Sequence, residues 1–204
     1  MLDSLTIGNV LTVLICLVVS ITVHEFMHAY VGFRLGDTTA MERGRVSFNP
    51  LHHIDPIMTV LLPLITIVLF HFPFLAAKPV PFNPYRVKYG EYGAALLAIA
   101  GPLSNLVLAF AGALLLRSVA LSLFLQNALV FFVQLNVALF IFNSVPIPPL
   151  DGSRVLYAFA PEPVQELMRQ IEPYGFFLIF VLIFWGGAGG IIANLNSFVL
   201  NLLP

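Results

Sequence analysis

Thr22-Val23-His24-Glu25-Phe26-Met27-His28-Ala29 lies inside an apolar run, residues 5–33, that is long enough to cross a lipid bilayer. A hydrocarbon core of ~30 Å takes about 20 helical residues. On a helix, His24 and His28 are one turn apart and share a face, so both imidazoles can bind one zinc ion. Glu25 stands one step round, where it can reach a zinc-activated water as general base. In a soluble protein such a spacing arises by chance. Within an apolar helix each ionisable group costs on the order of 2–3 kcal/mol to insert, so the cluster points to a functional site rather than to helix packing. The run does not read as a signal peptide. Met1-Leu2-Asp3-Ser4 lacks a positive opening segment, and no small-x-small cleavage site follows.

Composition agrees with a chain bathed in lipid. Its 204 residues suit a single domain, 1–204, and they are 59% hydrophobic with only 9% charged. A soluble domain carries roughly 25% charged residues, so water cannot be the solvent for much of this surface. The net charge of −1 gives no reason to expect nucleic acid as a partner. The one cysteine, Cys16, excludes an internal disulfide and a cysteine-rich metal site. A metal here must be held by His, Asp or Glu.

Residues 91–117 and 121–142 are two more stretches of membrane-spanning length. Residues 174–203 form another, broken by Gly186-Gly187-Ala188-Gly189-Gly190, which is either a kink or the turn of a hairpin. The apolar stretch 57–75 is shorter and carries Pro63 and Pro73. Val46-Ser47-Phe48-Asn49-Pro50 precedes it and Val80-Pro81-Phe82-Asn83-Pro84 follows it, each resembling a short strand closed by an Asn-Pro turn. Pairing of the two is one reading and coincidence the other. If 57–75 dips into the membrane and returns, Arg34, Arg43, Arg45, Lys78, Arg86, Lys88, Arg154 and Arg169 fall on one side and only Arg117 on the other. A full crossing erases that bias. Cytoplasmic loops are rich in Lys and Arg, so the expected topology has the N-terminus outside and residues 34–92 and 143–173 in the cytoplasm. The fold class is therefore an all-α polytopic membrane protein with a small membrane-associated β element and a re-entrant loop.

A catalytic zinc has three protein ligands and one open position. Candidates for the third are Asp55, Asp151, Glu162, Glu166 and Glu172. Asp151 stands out because Asn143-Ser144-Val145-Pro146-Ile147-Pro148-Pro149-Leu150-Asp151-Gly152 follows an apolar helix directly. Its prolines prevent regular helix, and irregular backbone at membrane depth is tolerated only where it lines a cavity or is buried in protein. His24 and His28 lie toward the C-terminal end of 5–33, and Asp151 lies just beyond the C-terminal end of 121–142. They meet only if those helices run parallel, which the re-entrant topology supplies.

Taken together, His24-Glu25-x-x-His28, Ala100-Gly101-Pro102-Leu103-Ser104-Asn105 and Asn143…Pro148-Pro149-Leu150-Asp151-Gly152 resemble the site-2 protease family of intramembrane zinc proteases. Gly44-Arg45-Val46-Ser47-Phe48-Asn49-Pro50 and Ala77-Lys78-Pro79-Val80-Pro81 resemble its compact branch without PDZ or CBS domains. The resemblance covers roughly residues 20–156. It implies zinc held by His24, His28 and Asp151, Glu25 as base, and Asn105 and Asn143 near the scissile peptide. It also implies cleavage of transmembrane substrates near the cytoplasmic face of the cell membrane. Asn143 is either an oxyanion donor or a helix-end cap; Asn105 either faces the pocket or packs helices. His52 and His53 either gate the site, orient a ligand or form a solvated interfacial pair. The rival classes are a metal-binding membrane transporter and a catalytically silent scaffold. Neither accounts for a general base set between two ligands.

Overall fold

The apolar run around His24 folds as α1, Ile7–Arg34, in a computed structural model that describes residues 6–53, 80–184 and 188–204. Thr6 opens the helix by accepting a hydrogen bond from the Asn9 N–H at 3.3 Å. Its far end closes with the Gly36 N–H on the Phe33 carbonyl and the Asp37 N–H on the Gly32 carbonyl, both at 3.0 Å. That pairing needs a left-handed residue after the helix, and Gly36 takes it at φ 101°. A short helix α2, Thr39–Glu42, and a 3-10 turn, Pro50–His52, follow.

The other long helices are α3, Gly90–Ser118, and α4, Leu123–Ser144. With α1 they are long and apolar enough to cross a membrane. Helix α3 lies between the other two, and its buried residues are mostly small: Gly93, Ala94, Ala98, Gly101, Ala109, Gly112 and Ala113. Lipid offers helices no hydrophobic reason to associate, so close backbone approach through small residues drives packing. Ala109 and Ala113 meet Val133, Val137 and Ile141 of α4 in an apolar core.

The chain then turns through the proline run into α5, Asp151–Phe159, and α6, Glu162–Ile171. A 3-10 turn, Glu172–Tyr174, leads into α7, Gly175–Phe184, and the last helix is α8, Ala188–Leu202. Ile192, Val199 and Leu200 of α8 lie against the α3–α4 core. Residues 185–187, at the glycine-rich break, are outside the described residues, as is the whole of the 57–75 stretch.

The expected β element does not form: no strand occurs among the described residues, and both 46–49 and 80–83 are irregular. Side chains take the backbone groups that a ladder would use. The His53 ring N–H donates to the Ser47 carbonyl at 2.8 Å, and the Asn49 N–H donates to Ser47 Oγ at 3.1 Å. The Asn83 N–H goes to the Asp37 carboxylate at 2.6 Å. Phe48 stacks instead on Phe26 of α1, centroids 3.9 Å apart. Burial pushes the Asp37 carboxyl up, but the Thr39 hydroxyl and the Asn83 and Thr39 N–H groups outweigh it and hold the group below its ordinary value.

Candidate metal centre

The C-terminal half of α1 turns His24, Glu25 and His28 inward, and all three are buried. Asp151 reaches them from the first turn of α5. Its Oδ2 lies 3.2 Å from His24 Nε2 and 3.3 Å from His28 Nε2, and the two Nε2 atoms are 3.0 Å apart. Ligand bonds of 2.0–2.2 Å in a tetrahedron set ligand atoms roughly 3.3–3.5 Å from one another. The three edges are near that spacing.

Proton placement makes the fit sharper. The His28 Nδ1–H donates to the Leu97 carbonyl at 2.8 Å, an acceptor that cannot reverse the bond. His24 Nδ1 meets Asn105 Oδ1 at 2.6 Å and is the donor there too. Both Nε2 atoms therefore present lone pairs to each other and to a carboxylate. Three acceptors facing one point call for a cation. Outer partners of this kind fix the tautomer and orientation of metal-ligating histidines. Among the described residues this is the one cluster of His, Cys, Asp or Glu spaced to hold a metal ion.

Of the other acidic candidates, Glu172 pairs with Arg154 at 2.6 Å and Glu166 with Arg169 at 2.6 Å. Glu162 is exposed, and Asp55 lies outside the described residues. A cavity of about 510 Å³ opens beside the cluster, walled by Glu25, Val80, Phe82, Asn143, Leu150 and Ile179, among others. Asn143 thus faces the cavity, its amide donating to the Leu139 carbonyl at 2.9 Å. Asn105 is fully buried and engages the His24 ring. His52 is exposed and donates to the Gly44 carbonyl at 2.6 Å, while His53 is buried.

Ser20 and Asn136 carry no role in the sequence reading, and Gly101 enters it only as part of a motif. A Cβ on Gly101 would lie 2.7 Å from His24 Nε2 and would overlap the His28 ring. The absence of a side chain there leaves the space in which the two imidazole rings sit. Ser20 and Asn136 join Asn105 in a buried network. Polar residues inside apolar helices were the available signal; which of them touch is decided by how the helices pack.

Two histidines and a carboxylate spaced to hold a metal ion, with a buried glutamate alongside, are residue types that catalytic zinc sites use. The comparisons agree. The chain is 40% identical over 177 residues to "Putative zinc metalloprotease YwhC" of Bacillus subtilis, covering 82% of this chain and 78% of that relative. It is 28% identical over 180 residues to "Putative zinc metalloprotease Rip2" of Mycolicibacterium smegmatis, covering 87% of this chain and 68% of the relative. With the Rip2 of Mycobacterium tuberculosis strain H37Rv it shares 30% over 170 residues, 81% of this chain and 62% of the relative. No family model matches the chain, and no solved structure matches it. The chain belongs to the site-2 protease family of zinc metalloproteases.

Proposed function

We propose that this chain is a zinc-dependent intramembrane endopeptidase of the cell membrane, cutting transmembrane proteins near the cytoplasmic face. The observation that carries this reading is the convergence of His24 Nε2, His28 Nε2 and Asp151 Oδ2, within 3.3 Å of one another, beside Glu25 on a helix of membrane-spanning length. Zinc held there supplies a Lewis acid that acidifies water and polarises a peptide carbonyl. Glu25 takes the proton of the attacking water, whose oxygen adds to the carbonyl carbon. As the C–N bond breaks, Glu25 delivers that proton to the leaving nitrogen. Asn143, on the cavity wall, turns its amide from the Leu139 carbonyl to the developing oxyanion.

A transmembrane substrate must unwind locally, because a helix hides its peptide bonds in i to i−4 hydrogen bonds. In lipid each freed N–H and C=O needs a partner. Val80, Phe82, Pro149 and Leu150 wall the cavity with non-helical backbone, which suits an extended stretch of substrate.

The cytoplasmic assignment draws on the Lys and Arg bias of that face, and the re-entrant topology on two ties between the ends of α1 and α3. The Lys88 N–H donates to the Leu35 carbonyl at 2.9 Å, and the Asn83 N–H to Asp37. Asp37 and Asn83, on either side of the 57–75 stretch in sequence, therefore lie at one level, which supports the re-entrant reading. Single cysteines at positions 40 and 88 should label from the same face of sealed vesicles; labelling from opposite faces would exclude this topology. The catalytic assignment is tested on purified protein. One zinc per chain and cleavage of a membrane peptide are expected. Glu25→Gln should keep the zinc and lose at least about 100-fold in rate, the lower range for a general base. Undiminished cleavage by Glu25→Gln would remove the mechanism.

A further inference from the structure

We propose that Ser20 and Asn136 are positioning residues of the metal centre, acting through Asn105 to hold His24 with Nε2 toward Asp151 and the proton on Nδ1. The proposal rests on the zinc reading above and adds two residues whose side chains bond none of the three proposed ligands and do not line the cavity.

The chain of hydrogen bonds has a fixed direction. Asn105 Oδ1 accepts from the His24 ring, and its Nδ2 donates to the Ser20 carbonyl at 3.3 Å and to Asn136 Oδ1 at 2.8 Å. Asn136 Nδ2 in turn donates to the Phe132 carbonyl at 2.8 Å and to Ser20 Oγ at 2.9 Å. Two of these acceptors are backbone carbonyls, which can only accept. They therefore dictate which end of each amide is nitrogen.

Turning the Asn105 amide over would set its oxygen against the Ser20 carbonyl and Asn136 Oδ1. It would also present an NH₂ group to His24 Nδ1. The imidazole proton would then have to move to Nε2, the atom that faces Asp151 and His28, and the ligand set would be broken. Ser20, Asn105 and Asn136 are all fully buried, so no water competes for these bonds. They come from α1, α3 and α4, so the packing of three helices is transmitted to one ring. His28 needs no such relay, because the Leu97 carbonyl takes its Nδ1–H directly.

The test uses the full chain in detergent, stripped of metal and titrated with Co²⁺, with affinity and the cobalt d–d absorption as readouts. Asn105→Ala should weaken binding 10- to 100-fold, the range for groups bonded to a ligating imidazole. Asn136→Ala should weaken it by about tenfold, the low end of that range, and should shift the d–d bands. The double variant should be no weaker than Asn105→Ala alone, because Asn136 acts only through Asn105. If Asn136→Ala does not accumulate as folded protein, Ser20→Ala, which deletes one acceptor at the far end of the relay, carries the same expectation in reduced degree. Parent-like affinity in the Asn136 and Ser20 variants, or additive losses in the double variant, overturns the relay and leaves the zinc reading intact. A parent chain that takes up no Co²⁺, or takes it up equally with His24→Ala, overturns both.

Discussion

Helices α3 and α4 meet twice, and the two meetings are built from different materials. At one level Asn105 and Asn136 face each other through a 2.8 Å hydrogen bond, with Ser20 of α1 completing the contact. One to two turns further along α3, Ala109 and Ala113 belong to an apolar cluster with Val133, Val137 and Ile141 of α4. In lipid an apolar contact is selected by shape alone, so many side-chain sets could fill the second level. The first level is directional. Each donor has a stated acceptor, and a misplaced amide leaves an unsatisfied group where none is tolerated. On the proposal above, the apolar level brings the helices together and the polar level sets their rotation and register.

Two glycines on α3 give the strongest way to break that comparison. Gly101 and Gly112 each admit side chains from a neighbouring helix: Gly101 makes room for the His24 and His28 rings, and Gly112 for Val133. A methyl at Gly112 would lie 2.8 Å from Val133 Cγ2, the end of a side chain that can rotate. A methyl at Gly101 meets rings held by Asn105 and the Leu97 carbonyl, which cannot move without giving up those bonds. Gly101→Ala should therefore abolish stoichiometric zinc, a loss beyond the roughly 100-fold that outer partners cause. Gly112→Ala should retain zinc at some loss of stability. Elemental analysis of the purified variants decides it, and equal zinc in both would erase the distinction between the two levels.

Asn143 sharpens the comparison on the cavity side. It sits in the last turn of α4 and presently donates back to Leu139, the ordinary behaviour of an amide near a helix end. If it serves the oxyanion, Asn143→Ala should lower kcat by about 10²–10³, the size of one oxyanion donor, while zinc affinity and KM change little. A loss under tenfold would leave it only the helix-end role.

Much of this was legible in the sequence because membrane chemistry is restrictive. The apolar runs 5–33, 91–117 and 121–142 match α1, α3 and α4 to within two residues at each end. His24, His28 and Asp151 converge although the last two are 123 positions apart in sequence. The prolines at 146, 148 and 149 forced an irregular approach to Asp151, and so announced a pocket. The strand pattern misled. Val46–Phe48 and Val80–Phe82 have strand-like composition, but His53 takes the Ser47 carbonyl and Asp37 takes the Asn83 N–H just beyond the second segment, and only the tertiary fold brings Asp37 to Asn83. Asn136 was visible as an amide within an apolar helix. Its relation to His24 passes through two other helices, and single-sequence periodicity carries no information about that path.

The mildest perturbation asks whether the two levels are independent. Ile141 is buried in the apolar cluster, two residues before Asn143 and five after Asn136. Ile141→Val removes one methylene without adding a polar group. In water-soluble cores this costs about 0.5–1.5 kcal/mol. In lipid the transfer part is absent, because the unfolded reference is itself apolar, and only the packing contacts are lost. The effect should therefore fall toward the lower end of that range, seen as a small shift in the midpoint of denaturant unfolding in mixed micelles. Cobalt affinity should stay within about twofold, since residues without shared partners combine nearly independently. A tenfold loss of affinity from this one methylene would mean that apolar packing itself tunes the ligand geometry. The polar network would then be one contributor to the position of His24 among several, not the element that fixes it.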